Sequence, residues 1–226
     1  MTANNLSSLF LFLITNTLYL GLTNTVYAQK TKHSTYYYQR ASLFEELAIS
    51  KNDIVFVGNS ITDGGEWFEL LDNKHVKNRG ISGDTTQGVI DRLKPITEGK
   101  PKKIFLLIGT NDISRGRKLD DVLKQLTEIV KNIKKDSPRT QIYIQSILPM
   151  NPDLKMFSGH TKRYKEIAPL NEMIEAMTIS EDVTYINLYS SFADEEGKLK
   201  LIYTNDGLHL MGTGYSNWAR LIKPYL

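Results

Sequence analysis

Four short polar stretches hold the groups in this chain that can do chemistry. They are Gly58-Asn59-Ser60-Ile61-Thr62, Ile81-Ser82-Gly83-Asp84-Thr85, Gly109-Thr110-Asn111-Asp112 and Asp206-Gly207-Leu208-His209. A serine hydroxyl is a weak nucleophile until a base removes its proton. Among the four histidines, His209 alone both follows an aspartate by three residues and lies in a connection leading into the last helix. On one turn Asp206 can hold one ring nitrogen and fix the tautomer, leaving the other nitrogen for the Ser60 hydroxyl. His33 lies before the first helix, His75 opens a strand at its far end, and His160 lies in a polar loop. These three read as exposed or internally satisfied residues. Attack of a serine on a carbonyl creates an oxyanion, which needs donors already in place. The N–H groups of Ser60 and Gly83 and the side-chain amide of Asn111 suit that task. Singly, Gly83 is an ordinary turn glycine and Asn111 a helix cap or Asx-turn residue; together with Ser60 and His209 they fill complementary roles.

Such groups must be positioned by a scaffold. Apolar, β-branched runs over 54–57 and 104–108, a weaker one over 76–78, and the segments 141–146 and 184–187 predict five strands. Continuous apolar runs mean that both faces are covered, as in a parallel sheet. Helical spacing over 36–50, 119–135, 163–178 and 213–222 alternates with the strands. The expectation is one domain over 29–226, an α/β fold built as a three-layer α/β/α sandwich. Ligands of such sheets bind at the carboxyl ends of the strands. The residues after each strand (Gly58 to Ser60, Arg79 to Gly83, Gly109 to Asp112, Pro149 to Asn151) and the Asp206–His209 turn converge there.

Composition narrows the classes. With 28 Lys+Arg against 25 Asp+Glu the net charge is +3, too small to argue for a nucleic-acid partner. The absence of cysteine excludes disulfides, thiolate metal sites and a cysteine nucleophile. No Gly-x-x-x-x-Gly-Lys-Ser/Thr loop is present, and Asp206 and His209 lack a third ligand at metal spacing, so no metal and no cofactor are expected. No charged residue precedes Lys30. The apolar stretch 6–22, broken by Thr15, Asn16 and Thr17, is too short and polar for a membrane span. Val26-Tyr27-Ala28 suits a signal peptidase, so residues 1–28 read as a signal peptide. The product would be secreted or periplasmic, without stable membrane insertion after cleavage. Because a positive n-region is missing, an uncleaved membrane anchor or a misassigned start is the alternative.

In this order, the four blocks resemble those of the SGNH hydrolase superfamily, the GDSL-type esterases and lipases. The resemblance implies a flavodoxin-like sandwich with a five-stranded parallel sheet. It implies a serine esterase with Ser60 as nucleophile, His209 as base, Asp206 as its orienter, and an oxyanion hole of Ser60, Gly83 and Asn111. Two departures stand out. Asn59 replaces the commoner aspartate, and Thr62 ends a block that is not Gly-x-Ser-x-Gly, which argues against an α/β-hydrolase. The partner implied is a small-molecule or glycan ester, with removal of short acyl (acetyl) groups from carbohydrate as first expectation. A lysophospholipase-like or platelet-activating-factor-acetylhydrolase-like lipid esterase is the alternative. A non-catalytic flavodoxin-like binding module is the rival of another class. Met156 and Phe157, in the loop over 150–162, and Trp67 and Phe68 are candidates for lining an acyl pocket or for capping the core. The oligomeric state is not legible.

Overall fold

Alternation within the strands decides how the layers form. In β1 (Ile54–Gly58) all five residues are buried, because Val55 and Val57 join one core while Ile54 and Phe56 join another. A strand covered on both sides belongs inside a parallel sheet. In the computed structural model, which describes residues 32–226, β1 pairs in parallel with β2 (Val76–Gly80) and β3 (Lys103–Leu107). β4 (Gln141–Gln145) and β5 (Thr184–Ile186) extend the sheet, giving five parallel strands in the order β2-β1-β3-β4-β5. This is the expected fold class. Residues 35–226 form one compact unit. The segment read as a signal peptide, 1–28, lies outside the described residues.

The helices are α1 (Thr35–Glu46), α2 (Ser60–Asp63), α3 (Trp67–Leu71), α4 (Thr86–Asp91), α5 (Lys94–Glu98), α6 (Thr110–Ser114), α7 (Leu119–Asp136), α8 (Ser158–Thr161), α9 (Ile167–Ser180), α10 (Tyr189–Phe192) and α11 (Gly212–Ile222). One face of the sheet is aliphatic. There Val122, Leu126, Ile129, Val130 and Ile133 of α7 are buried with Ile167, Leu170 and Ile174 of α9. Each such side chain contributes about 1.5–3 kcal/mol on leaving water. The other face is aromatic. Phe56 stacks on Trp67 and Phe105 at 4.5 and 4.9 Å, and Trp67 meets Trp218 of α11 edge-on at 4.6 Å. Trp67 is 1% exposed and its indole N–H donates to the Thr62 carbonyl at 2.8 Å. It is therefore a core residue rather than a pocket wall, while its neighbour Phe68 stays exposed.

The sequence-based boundaries shift where local rules compete. The first helix stops at Glu46. The helix expected from residue 163 is a 3-10 turn over Tyr164–Glu166 before α9 begins; Pro169 falls in the first turn of α9, where its missing N–H costs nothing. Two helices between β2 and β3, α4 and α5, have six and five residues, too few for a helical period to register.

Candidate active site

The strand ends make the first part of the site. β1 and β2 finish in register on Gly58 and Gly80. A Cβ on Gly58 would lie 2.2 Å from Thr62 Oγ1 and 2.5 Å from the Leu107 carbonyl oxygen. One on Gly80 would lie 2.2 Å from the Asp63 nitrogen. Only glycine lets the chain turn this tightly into α2. Asn59 caps that helix, its Oδ1 accepting from Ile61 N–H at 3.0 Å. Asn59 is itself buried, so a neutral amide makes this cap without placing a buried charge beside Ser60. Asn78 on β2 donates to the carbonyls of Thr62, Asp63 and Gly65, each at 3.0 Å. Tyr215 of α11 donates to the Ile61 carbonyl at 2.9 Å. The turn carrying Ser60 is held from the neighbouring strand and from the last helix.

The Asp206–His209 turn arrives from the C-terminal connection. Gly207 has φ +86°, and a Cβ there would lie 2.2 Å from the Asn151 carbonyl oxygen. The Gly207 carbonyl accepts from Asn151 N–H at 2.8 Å, so the chain after β4 fixes this turn. Asp206 Oδ1 accepts from the N–H groups of Leu208 and His209, both at 2.8 Å. Its other oxygen, Oδ2, lies 2.7 Å from His209 Nδ1. Burial opposes the charge on Asp206, yet the Leu208 and His209 amides and the imidazole outweigh it and hold the carboxyl below its ordinary value. With Nδ1–H given to the carboxylate, His209 Nε2 is left as an acceptor. It stands 3.1 Å from Ser60 Oγ. Three residues drawn from two ends of the chain thus meet in hydrogen-bonded order. A second Asp-x-x-His spacing, Asp72 to His75, leads to the amino ends of the strands, where His75 faces Asp53 at 3.7 Å.

Gly83 and Asn111 lie on the next two turns. Gly83 has φ +79°, and its carbonyl accepts from Arg115 Nη2 at 2.8 Å. Among the described residues, neither its N–H nor that of Ser60 donates to another group. Asn111 sits in the first turn of α6, after Gly109 at φ +131°. Its Nδ2 donates to the Asp84 carbonyl at 2.8 Å and its Oδ1 lies 3.2 Å from His160 Nε2. One Nδ2 hydrogen remains. Two buried networks lock these turns together. Arg92 donates through Nε to Asp84 Oδ2 at 2.8 Å and through Nη2 to the Gly58 carbonyl at 3.2 Å. Asp112 accepts from Thr86 N–H at 3.0 Å and from Thr86 Oγ1 at 2.7 Å. Burial raises the Asp112 pKa, against the opposing pull of Thr86, Arg117 and Arg115.

All five residues singled out from the sequence therefore lie on turns that contact one another at the carboxyl edge. Sequence reasoning missed the supports: Asn78, Asp84, Arg92, Asp112 and His160. Asp84 and Asp112 stand inside the glycine-rich blocks and are buried, where a carboxylate is found only with a partner; nothing in the sequence marks His160. Among the described residues no group of three or more His, Asp or Glu is placed to hold a metal ion, and no helix is long and apolar enough to cross a membrane.

Comparison with known proteins gives a consistent picture. Residues 56–216 match the model of the GDSL-like lipase/acylhydrolase family. Platelet-activating factor acetylhydrolase IB subunit alpha2 of Rattus norvegicus is 29% identical over 179 residues, covering 76% of this chain and 73% of that protein. A solved structure from Streptococcus pneumoniae, described as a platelet activating factor, superposes with a TM-score of 0.78 at 27% identity, over 92% of this chain and 98% of the other. A variant of an acetylxylan esterase from Geobacillus stearothermophilus shares the fold at TM-score 0.61 and 18% identity, over 77% and 93% of the two chains.

Proposed function

The chain belongs to the GDSL-like lipase/acylhydrolase family and is an ester hydrolase, and from that premise we propose that it cleaves short acyl esters through Ser60, His209 and Asp206. The observation that carries the reading is the unbroken run from Ser60 Oγ to His209 Nε2 at 3.1 Å and from His209 Nδ1 to Asp206 Oδ2 at 2.7 Å. Ser60 Oγ attacks the ester carbonyl carbon while its proton passes to His209 Nε2. The charge on the carbonyl oxygen is met by Ser60 N–H, Gly83 N–H and the remaining Nδ2 hydrogen of Asn111. His209 returns the proton to the departing alcohol oxygen as the C–O bond breaks. Water then attacks the acyl-serine by the same route, giving the acid and free Ser60. Asp206 keeps Nδ1 protonated throughout and offsets the imidazolium charge.

The acyl group is acetyl or nearly so, and the alcohol is a carbohydrate. The acetylhydrolase name of the rat relative supports the first choice; family resemblance supports the second. A lipid alcohol is the second reading, favoured by the exposed Leu201, Ile202 and Met211 on segments flanking the Asp206–His209 turn and by exposed Met156 and Phe157. An ester panel varying acyl length and alcohol separately, run beside Ser60→Ala, decides between them. Acetyl sugars hydrolysed fastest would support the first reading. Acetylated or long-chain lipids hydrolysed faster would replace it, and undiminished turnover by Ser60→Ala would remove Ser60 from the reaction. Export belongs to the same proposal: protein recovered outside the cytoplasm should begin at Gln29, whereas an intact N-terminus on membranes would favour an anchor.

A further inference from the structure

The residue the mechanism above leaves unused is His160. It comes from the loop between β4 and α9, on the four-residue helix α8, and is half-buried. Its Nε2 stands 3.2 Å from Asn111 Oδ1. Phe157, one turn earlier, packs its ring nearly perpendicular to that of His209 at 5.1 Å and to that of His160 at 6.0 Å. Thr161 is 1% exposed and its hydroxyl donates to the Phe157 carbonyl at 3.2 Å. The loop is thus seated on both halves of the candidate site, through Phe157 on the base and through His160 on the amide.

We propose that His160 is a positioning residue, whose Nε2–H holds the Asn111 carboxamide in the orientation that aims its remaining N–H at the oxyanion. The proposal rests on the reading of Asn111 as an oxyanion donor. The last torsion of an asparagine side chain has a broad, soft profile. One hydrogen bond, from Nδ2 to the Asp84 carbonyl at 2.8 Å, leaves the amide free to swing about that contact. A second bond at Oδ1, on the other end of the amide, removes the swing. It also sets the sense of the amide, since a flipped group would place oxygen against the Asp84 carbonyl and N–H against the His160 donor. Donors that are fixed before the charge develops need no reorganisation when it does. Burial, followed by the nearness of His209 and Arg115, keeps the His160 pKa below its ordinary value. A neutral ring with its proton on Nε2 can make this bond without adding charge next to His209.

The test is a double-mutant cycle on the full chain, read as kcat and KM separately with a short-chain ester. Asn111→Ala alone tests the underlying reading and should lower kcat by about 10²–10³-fold. His160→Ala should lower kcat about tenfold, less than loss of the donor itself, with KM within about twofold. His160→Gln, whose amide nitrogen can reach the Nε2 position, should restore kcat to within about threefold of the parent. In the Asn111→Ala background, His160→Ala should cost nothing further, because the two residues act as one unit. Parental kcat in His160→Ala, an equal loss in both backgrounds, or no rescue by glutamine would overturn the proposal while leaving Asn111 in place. Parental kcat in Asn111→Ala would instead overturn the oxyanion reading, and this proposal with it.

Discussion

The two ends of the sheet differ in how their polar groups are spent. At the amino ends lies a groove of about 580 Å³, lined by Lys51, Lys100, Lys102 and Arg139 together with Pro101 and Pro138. Those four cations are exposed. The histidine at this end, His75, has a carboxylate at 3.7 Å. At the carboxyl ends the groups of the candidate site are half-buried or buried and bonded to one another: Ser60 to His209, His209 to Asp206, Asn111 to Asp84 and His160, Asp84 to Arg92. Open volume and charge mark the first region, and convergent geometry marks the second. Reaction requires groups held within hydrogen-bond reach before substrate arrives, and the proposed chemistry uses the end where such groups already meet.

That contrast can be broken or sharpened by substitution. Ser60→Ala should lower kcat by about 10⁴–10⁶-fold. In contrast, combined Lys51→Ala, Lys100→Ala and Arg139→Ala should leave kcat/KM for a neutral ester within about twofold, since exposed substitutions away from a site change little. Comparable losses in the two variants would erase the distinction between the ends. The next largest effect concerns stability. Asp84→Asn leaves the buried Arg92 guanidinium without its counter-charge, and should cost about 3–5 kcal/mol in denaturant unfolding. The exposed Lys94–Glu98 pair, with N···O 3.4 Å, supplies the control: Glu98→Gln should stay within about 0.5 kcal/mol. Removing the cap by Asn59→Ala should cost about 1 kcal/mol, measured by the same unfolding curves; no change would mean that the Asn59–Ile61 bond adds nothing.

The smallest effect is in pH. The carboxyl of Asp206 is held below its ordinary value of 3.8 in the folded chain. Its contribution to stability is therefore full above 3.8 and fades as the pH falls through the lower folded value. The destabilisation caused by Asp206→Asn should accordingly shrink on acidification through this range. A gap that stays constant from neutral pH into the acid limb would show that the charge on Asp206 is not what the turn stabilises.

How much was legible follows from how local each signal is. The strands showed because unbroken apolar runs such as Ile54 to Val57 state double-sided burial in four residues, and the long helix α7 showed because its apolar spacing repeats over 18 residues. Ser60, Gly83, Asn111, Asp206 and His209 could be picked out as chemical groups because each stands in a short glycine-marked block. The pairing of His160 with Asn111 spans 49 residues, and the tie between Arg92 and Gly58 spans 34; neither leaves a trace in local spacing. Trp67 read equally well as pocket or core until its stacking on Phe56 settled it. The spacing of Asp72 and His75 matches that of Asp206 and His209, and only the topology separates them.

The central claim is that the Ser60 hydroxyl is activated by His209. Mass spectrometry of the protein after reaction with a serine-directed fluorophosphonate tests it directly. The account predicts one adduct, on Ser60, formed at least about 10²-fold more slowly in His209→Gln because the general base is gone. An adduct on another serine, or labelling of Ser60 at an undiminished rate in the His209 variant, would contradict it.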